Sequence, residues 1–257
     1  MLKELIRPWL QSWWFAGCTI SRSAFVQRQC QLAPGAIIGD RVVLKGCNLG
    51  RNVRVGRGSV VLDSTIGDNV RIAANCRIAN ASIGQFSYVA ENARISQAGI
   101  GAFCALGPDL LCGYGEHPME HFSISPSFYS TAVPPAASFH HDPSFAERSP
   151  ITIGSDVWLG ARVFVRDGIS IGHGVVAGAG AVIVHNLEPY SLAGGVPARL
   201  IRFRGSEPLR NCLLESAWWN WSEARLKKYG PALWGKTLEQ PDEIAAVLRE
   251  AISDNVR

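Results

Sequence analysis

The sequence predicts an all-β solenoid: a parallel coil with three flat sides, broken by one long loop and followed by a helical extension. Three observations predict it. Aliphatic residues recur every five to six positions, glycine follows many of them, and a segment rich in proline and histidine interrupts the series.

The repeat comes first. Steps of 6, 6 and 5 residues from Leu32 reach Ile38, Leu44, Leu49, Val55, Val61, Ile66, Ile72, Ile78, Ile83, Val89, Ile95, Ile100 and Leu106. Fourteen successive aliphatics in a chain only 47% hydrophobic are not a chance pattern. A second array starts at Ile153 and continues in sixes through Leu159, Val165, Ile171, Ala177 and Ile183. This period fits neither an α-helix nor a hairpin meander. It fits a coil whose sides each turn one aliphatic inward, so that three sides close a turn of 17–18 residues. Equivalent side chains then stack in ladders. Cys30 and Cys47, 17 residues apart, would share one column as small buried residues. Glycines beside the inward residue, such as Gly39, Gly84 and Gly172, are expected to relieve crowding at corners and to adopt backbone angles that other residues avoid. One turn cannot bury its own core, so stacked turns need a cap at each end.

The elements follow in order. Residues 1–14 read as an N-terminal cap, with Trp9, Trp13 and Trp14 covering the first turn rather than docking on a membrane surface. Residues 15–204 read as the solenoid: about six turns over 15–112, a loop at 113–150, two more turns over 151–185, and a departure from the coil over 186–204. The loop holds Pro118, Pro126, Pro134, Pro135 and Pro143 with four histidines. Insertions of this length in a compact domain are usually functional. Residues 205–257 read as a helical extension, with a helix start at Pro241-Asp242-Glu243.

Composition bounds the function. In 257 residues, 18% are charged and the formal charge is +4, which excludes a disordered chain and is too mild to argue for nucleic acid. Seven cysteines, an odd number with no C-x-x-C pair, give neither a disulfide framework nor a structural zinc site, and fit a reducing cytoplasm. Arg7, Pro8, Gln11 and Ser12 break the apolar N-terminus, so no secretory signal is read there, and no run approaches the roughly 20 apolar residues of a membrane span.

The loop carries the chemistry. His117 and His121 lie in GYGEHPMEHFSISPSFYS, on a segment held out by a rigid scaffold. A neutral imidazole can take the proton from a hydroxyl or amine as it attacks a thioester, while backbone amides polarise the carbonyl. A merely hydrogen-bonded loop histidine is the alternative. His140, His141 and Asp142 are candidates for contact with an acceptor or a neighbouring subunit. His173 and His185 read as surface residues.

The aliphatic-Gly-x-x-x-x pattern resembles the hexapeptide-repeat family, and GEHPMEHFSISPSFYS resembles the G-x-H-P…S-x-x-P-x-F-Y segment of its acetyltransferases acting on polysaccharides and xenobiotics. The resemblance covers roughly residues 30–225, including LLESAWWNW, which is similar to the helical tail of the chloramphenicol-type branch. It implies a left-handed coil, although right-handed crossovers are the general rule. It also implies acetyl-coenzyme A as acyl donor, no metal, and a homotrimer with its site between adjacent solenoids. On this resemblance His117 is the catalytic base, and Glu116, His121, Ser125 and Tyr129 line the acceptor side. Glu116 stands where the family often has Asn beside the base. The donor would lie along Trp158, Gly160, Gly178, Ala179 and Pro197, with Arg199, Arg202 and Arg204 near its phosphates.

These readings imply an acetyl-CoA-dependent O-acetyltransferase acting on a sugar or a surface-polysaccharide precursor. The alternatives are a xenobiotic O-acetyltransferase, an amino-sugar N-acetyltransferase, a non-catalytic binding solenoid, and a zinc enzyme like the γ-class carbonic anhydrases. The last needs three converging imidazoles, which His117-x-x-x-His121 in a proline-containing loop does not supply.

Overall fold

The computed structural model describes residues 15–130, 138–139 and 145–254. The expected N-terminal cap and the candidates His140, His141 and Asp142 lie outside these. The described chain is a parallel β-helix with a helical tail. Short strands form three sheets of ten, eight and seven strands, called here the first, second and third. Each strand hydrogen-bonds to equivalents one turn away: Arg54, Arg71 and Tyr88 are successive partners in the first sheet, 17 residues apart. The coil starts at Thr19–Ile20.

The aliphatic ladders form about half of the core; each side also turns in a second residue two positions earlier, such as Val42, Val53, Cys76 and Val157, where the sequence reading expected one. Ile38 through Leu106 in the first array are all buried, as are Ile153 through Ile183 in the second; Leu32 is partly covered. Cys112, six residues beyond Leu106, continues the second-sheet ladder beside Val165. Cys30 and Cys47 are stacked buried neighbours, the Cys47 amide donating to Cys30 Sγ at 3.5 Å, and all seven thiols are free.

The glycines correct one expectation. Those after the inward residues do not have left-handed backbone angles. Their reason is the next turn: a Cβ on Gly84 would stand 2.5 Å from the Ala102 nitrogen and the Gly101 carbonyl carbon. Left-handed angles occur later in the corner, where Asn52, Asn69, Asn75 and Asn92 have φ of 58–62°. Asn tolerates that region because its short polar side chain bonds locally. Asn52 donates to Asn69 at 3.0 Å across one turn.

Residues 186–204 also differ from expectation. They do not leave the coil at once: Leu187 bridges Ile171, and Ser191–Gly194 adds a parallel strand beside Val176–Ala177. Only then does Arg199–Phe203 fold back antiparallel, closing the first sheet.

The tail consists of α1 (Glu207–Ser216), α2 (Glu223–Trp234) and α3 (Pro241–Ser253). It has its own small core around Leu209, Trp221, Tyr229, Ile244 and Leu248. It docks on the corner between third and first sheets. There Phe86 and Phe103 stack at 5.1 Å and Trp218 covers Phe103 at 5.0 Å. Trp219 stacks on His173 at 4.2 Å and 10°. His173 is therefore not a plain surface residue. Its Nδ1 accepts the Ser155 amide at 2.8 Å, which puts the ring proton on Nε2. Burial holds its pKa below the ordinary imidazole value.

Two predictions follow from stacking and docking. Gly84→Ala should destabilise the coil by about 2 kcal/mol through overpacking against backbone that cannot step aside, measured by denaturant unfolding. For His173 the unfolded chain takes up the proton more readily than the fold. The stability it contributes is thus present above about pH 6.5, the ordinary value, and is lost as pH falls below it. Tryptophan fluorescence should report tail loosening over that fall, and His173→Gln should flatten the response.

Candidate active site

The loop after Cys112 leaves the corner between second and third sheets and returns at Ile151. Its neck is clamped by Asp167, from the next turn, whose side chain is only 2% exposed. Asp167 accepts the Gly115 amide at 2.9 Å and the Ser149 amide at 3.4 Å, and pairs with Arg148 at 3.0 Å. Arg148 in turn donates to the Gly113 carbonyl at 2.9 Å. One buried carboxylate thus ties both ends of the loop to the coil. The sequence reading missed Asp167, because nothing local separates it from an ordinary corner aspartate.

Beyond this neck sits His117, exposed. Its Nδ1 lies 3.1 Å from the Ile124 carbonyl and 2.6 Å from Tyr129 Oη. In the tautomer with its proton on Nδ1 the ring donates to the Ile124 carbonyl and leaves the Nε2 lone pair free; in the other, Tyr129 Oη donates to Nδ1. Among the described residues Nε2 has no partner. Tyr129 is buried, its ring edge-on to His117 and to Phe145. Burial, and secondarily Glu147, push its phenol pKa up, so it stays neutral.

The remaining acceptor-side candidates divide. Ser125 precedes the 3-10 turn Pro126–Phe128 that delivers Tyr129, without a side-chain cap bond. His121 is exposed. Glu116 does not touch the imidazole: its carboxylate pairs with Arg166 at 3.2 Å. The ring is oriented by Ile124 and Tyr129, which accounts for a glutamate at that position.

The donor-side candidates cluster elsewhere. Trp158, 54% exposed, stands on the outer face of the first sheet. Gly160, Gly178 and Ala179 occupy the corner between first and second sheets. Gly160 has the stacking role, since a Cβ there would meet the Ala179 nitrogen at 2.6 Å. Gly178 differs: its nearest neighbour is the Ala193 oxygen at 3.8 Å, so the backbone there is open on one side. Pro197, after a cis peptide, is exposed in the turn above that corner. Arg199 is exposed, beside a cavity of about 210 Å3 that also involves His185 and Ser191. Arg202 donates to the Phe203 carbonyl, at 3.2 Å. Arg204 is engaged within the fold: its guanidinium meets the Gly174 carbonyl at 2.6 Å and Asp156 at 3.4 Å, holding the tail strand to the coil. In one chain, His117 and the donor-side residues are separated by the width of the second sheet.

Among the described residues no group of three His, Cys, Asp or Glu side chains is placed to hold a metal ion. No described helix is long and apolar enough to cross a membrane.

Family models match both arrays: bacterial transferase hexapeptide (six repeats) at residues 46–80, and hexapeptide repeat of succinyl-transferase at 150–184. Both arrays of the coil thus carry a stretch that matches the hexapeptide repeat. A chloramphenicol acetyltransferase of Escherichia coli is 37% identical over 51% of this chain and 62% of its own length. A probable macrolide acetyltransferase of Lysinibacillus sphaericus is 41% identical over 27% of this chain and 39% of its own. The chain thus spans less than two thirds of these relatives. Among solved structures, a hexapeptide-repeat acetyltransferase of Vibrio cholerae complexed with acetyl coenzyme A is 22% identical, covering 62% of this chain and 70% of its own, with a TM-score of 0.38.

The clamp gives a prediction. Asp167→Ala leaves Arg148 without its carboxylate and should cost about 3 kcal/mol. Limited proteolysis should then cut within residues 113–150 faster than in the wild type, whereas Glu116→Gln, which removes only an exposed pair, should leave that rate unchanged.

Proposed function

We propose that this protein is an acetyltransferase that moves an acetyl group from acetyl-CoA to a hydroxyl of a sugar or surface-polysaccharide precursor, with His117 as general base. One observation carries the reading: an exposed imidazole whose Nδ1 is held by the Ile124 carbonyl and Tyr129 Oη, while Nε2 has no partner among the described residues. As the acceptor oxygen attacks the thioester carbonyl, its proton passes to Nε2. The tetrahedral oxyanion then collapses, the C–S bond breaks, and the imidazolium returns the proton to the departing thiolate. The ester and free CoA are the products.

The donor fits the corner at Gly178 and Ala179, where the backbone is open and Trp158 stands alongside. Arg199 is the nearer guanidinium for its phosphates, because Arg204 is already bonded. His117 projects from the next corner, so a complete site takes the histidine of one chain and the donor groove of another. A closed ring of copies, the homotrimer, meets that need. The seven free thiols suit a reducing cytoplasm. A xenobiotic hydroxyl is the second reading, favoured by the 37% identity to a chloramphenicol acetyltransferase.

The test is CoA release from acetyl-CoA against a panel of sugars, nucleotide sugars, glycans and chloramphenicol. His117→Ala should lower turnover by about 100-fold or more while CoA binding persists. Tyr129→Phe, which keeps the Ile124 bond, should lose less. Undiminished turnover in His117→Ala would sink the assignment.

A further inference from the structure

The outward residues of the first sheet form a column of their own. Ile37, Arg54, Arg71, Tyr88, Ala105 and Trp158 are consecutive partners in the parallel register. Adjacent strands lie about 4.8 Å apart, so Arg54 and Arg71 hold like charges side by side, which is unfavourable unless an anion joins them. Neither takes part in an ion pair among the described residues, whereas the nearby Arg51 is taken by Asp68 at 2.6 Å. At this pair a cavity of about 350 Å3 opens, lined by Gly35, Asn52, Arg54, Asn69, Val70 and Arg71. The surrounding coil is basic as a whole. Residues 15–95 contain ten Lys and Arg against four Asp and Glu, a net +6, while the full chain is only +4.

Aromatic rings continue the column. Tyr88 is 47% exposed next to Arg71, and Trp158 is 54% exposed two strands further on. Flat exposed rings with a polar edge suit the apolar faces of sugars. From Trp158 to Arg54 is four strand steps, about 19 Å, longer than a single sugar ring. Trp158 also flanks the donor groove. A small neutral acceptor would use only that end.

We propose that this column is the binding path of an acidic oligosaccharide, its carboxylates or phosphodiesters seated between Arg54 and Arg71 and its rings stacked on Tyr88 and Trp158. The role of the bound glycan as acceptor rests on the acetyltransferase reading; the anion site rests on its own geometry. Stacked guanidiniums without counter-ions make a poor packed interface, so this face stays open to ligand in an assembly.

Affinity electrophoresis of the full chain tests it, through gels containing polygalacturonate, glycerol-phosphate teichoic acid or neutral dextran. The first two separate carboxylate from phosphodiester recognition. Retardation is expected in at least one polyanion and not in dextran. Arg54→Gln/Arg71→Gln should weaken it about tenfold or more, as loss of two charged contacts implies. Arg77→Gln/Arg94→Gln removes the same charge from a register pair on the second sheet and should weaken it far less. Thermal melts verify that both variants fold; if the first double variant melts early, its single variants carry the test. Absence of retardation in both polyanions, or equal loss in both double variants, overturns the site. Binding without any CoA release across the acceptor panel overturns the transferase reading and leaves the site standing. CoA release with unaltered binding and KM in Arg54→Gln/Arg71→Gln does the reverse.

Discussion

Successive turns of this coil meet backbone to backbone, and everything else is arranged around that contact. The Gly84–Ala102 approach leaves no room for a Cβ, and the same holds at Gly56, Gly101, Gly107 and Gly154. Parallel hydrogen bonds such as Gly67 N–H to the Ile83 carbonyl, at 2.8 Å, keep that closeness along the coil. Because each turn aligns with the next at a fixed register, whatever a position carries is repeated as a column. Inward columns become aliphatic ladders, corner columns become stacks of Asn and Cys, and outward columns become lines of charge or rings. Stability is then shared between neighbours rather than held in one central core.

Against this regular background the loop is the one large departure, and the rigid coil gives it a fixed foothold. Asp167 receives amides from both strands of the neck and an arginine from within it. A carboxylate so deeply placed needs those partners, and the neck needs the carboxylate, so each fixes the other. Within the loop the imidazole of His117 is held at one nitrogen: Nδ1 meets the Ile124 carbonyl and the Tyr129 hydroxyl, and Tyr129 packs edge-on to Phe145. Glu116, the residue beside it in sequence, is engaged elsewhere with Arg166.

Function is distributed over corners. The end of the coil exposes a glycine, Gly178, that lacks a full turn above it, while the imidazole leaves from the following corner. Reading both as one reactive centre therefore calls for a second chain, and the acidic-glycan column lies on the sheet that leads to the donor end. The helical tail contributes by closing the opposite corner, where Trp218 and Trp219 rest on Phe103 and His173.

Much of this was legible in sequence. The aliphatic steps from Leu32 to Leu106 and from Ile153 to Ile183 located about half of the buried side chains of the coil, and the 17-residue spacing of Cys30 and Cys47 paired them correctly; the second buried position of each side, two residues earlier, carries small and mixed residues and left no plain period. Period is a local property, and a chain with a regular aliphatic on each side has few other ways to bury it. Other features depended on which residues meet across turns. The glycines proved to serve close approach instead of unusual angles. Arg204, which reads as a phosphate ligand, bonds Asp156 and Gly174; His173, which reads as exposed, lies under Trp219. Gly115 finds Asp167 from 52 residues away, across the inserted loop. Such contacts depend on how the stacked turns and the returning tail bring distant corners together, and no repeat in the sequence records that distance.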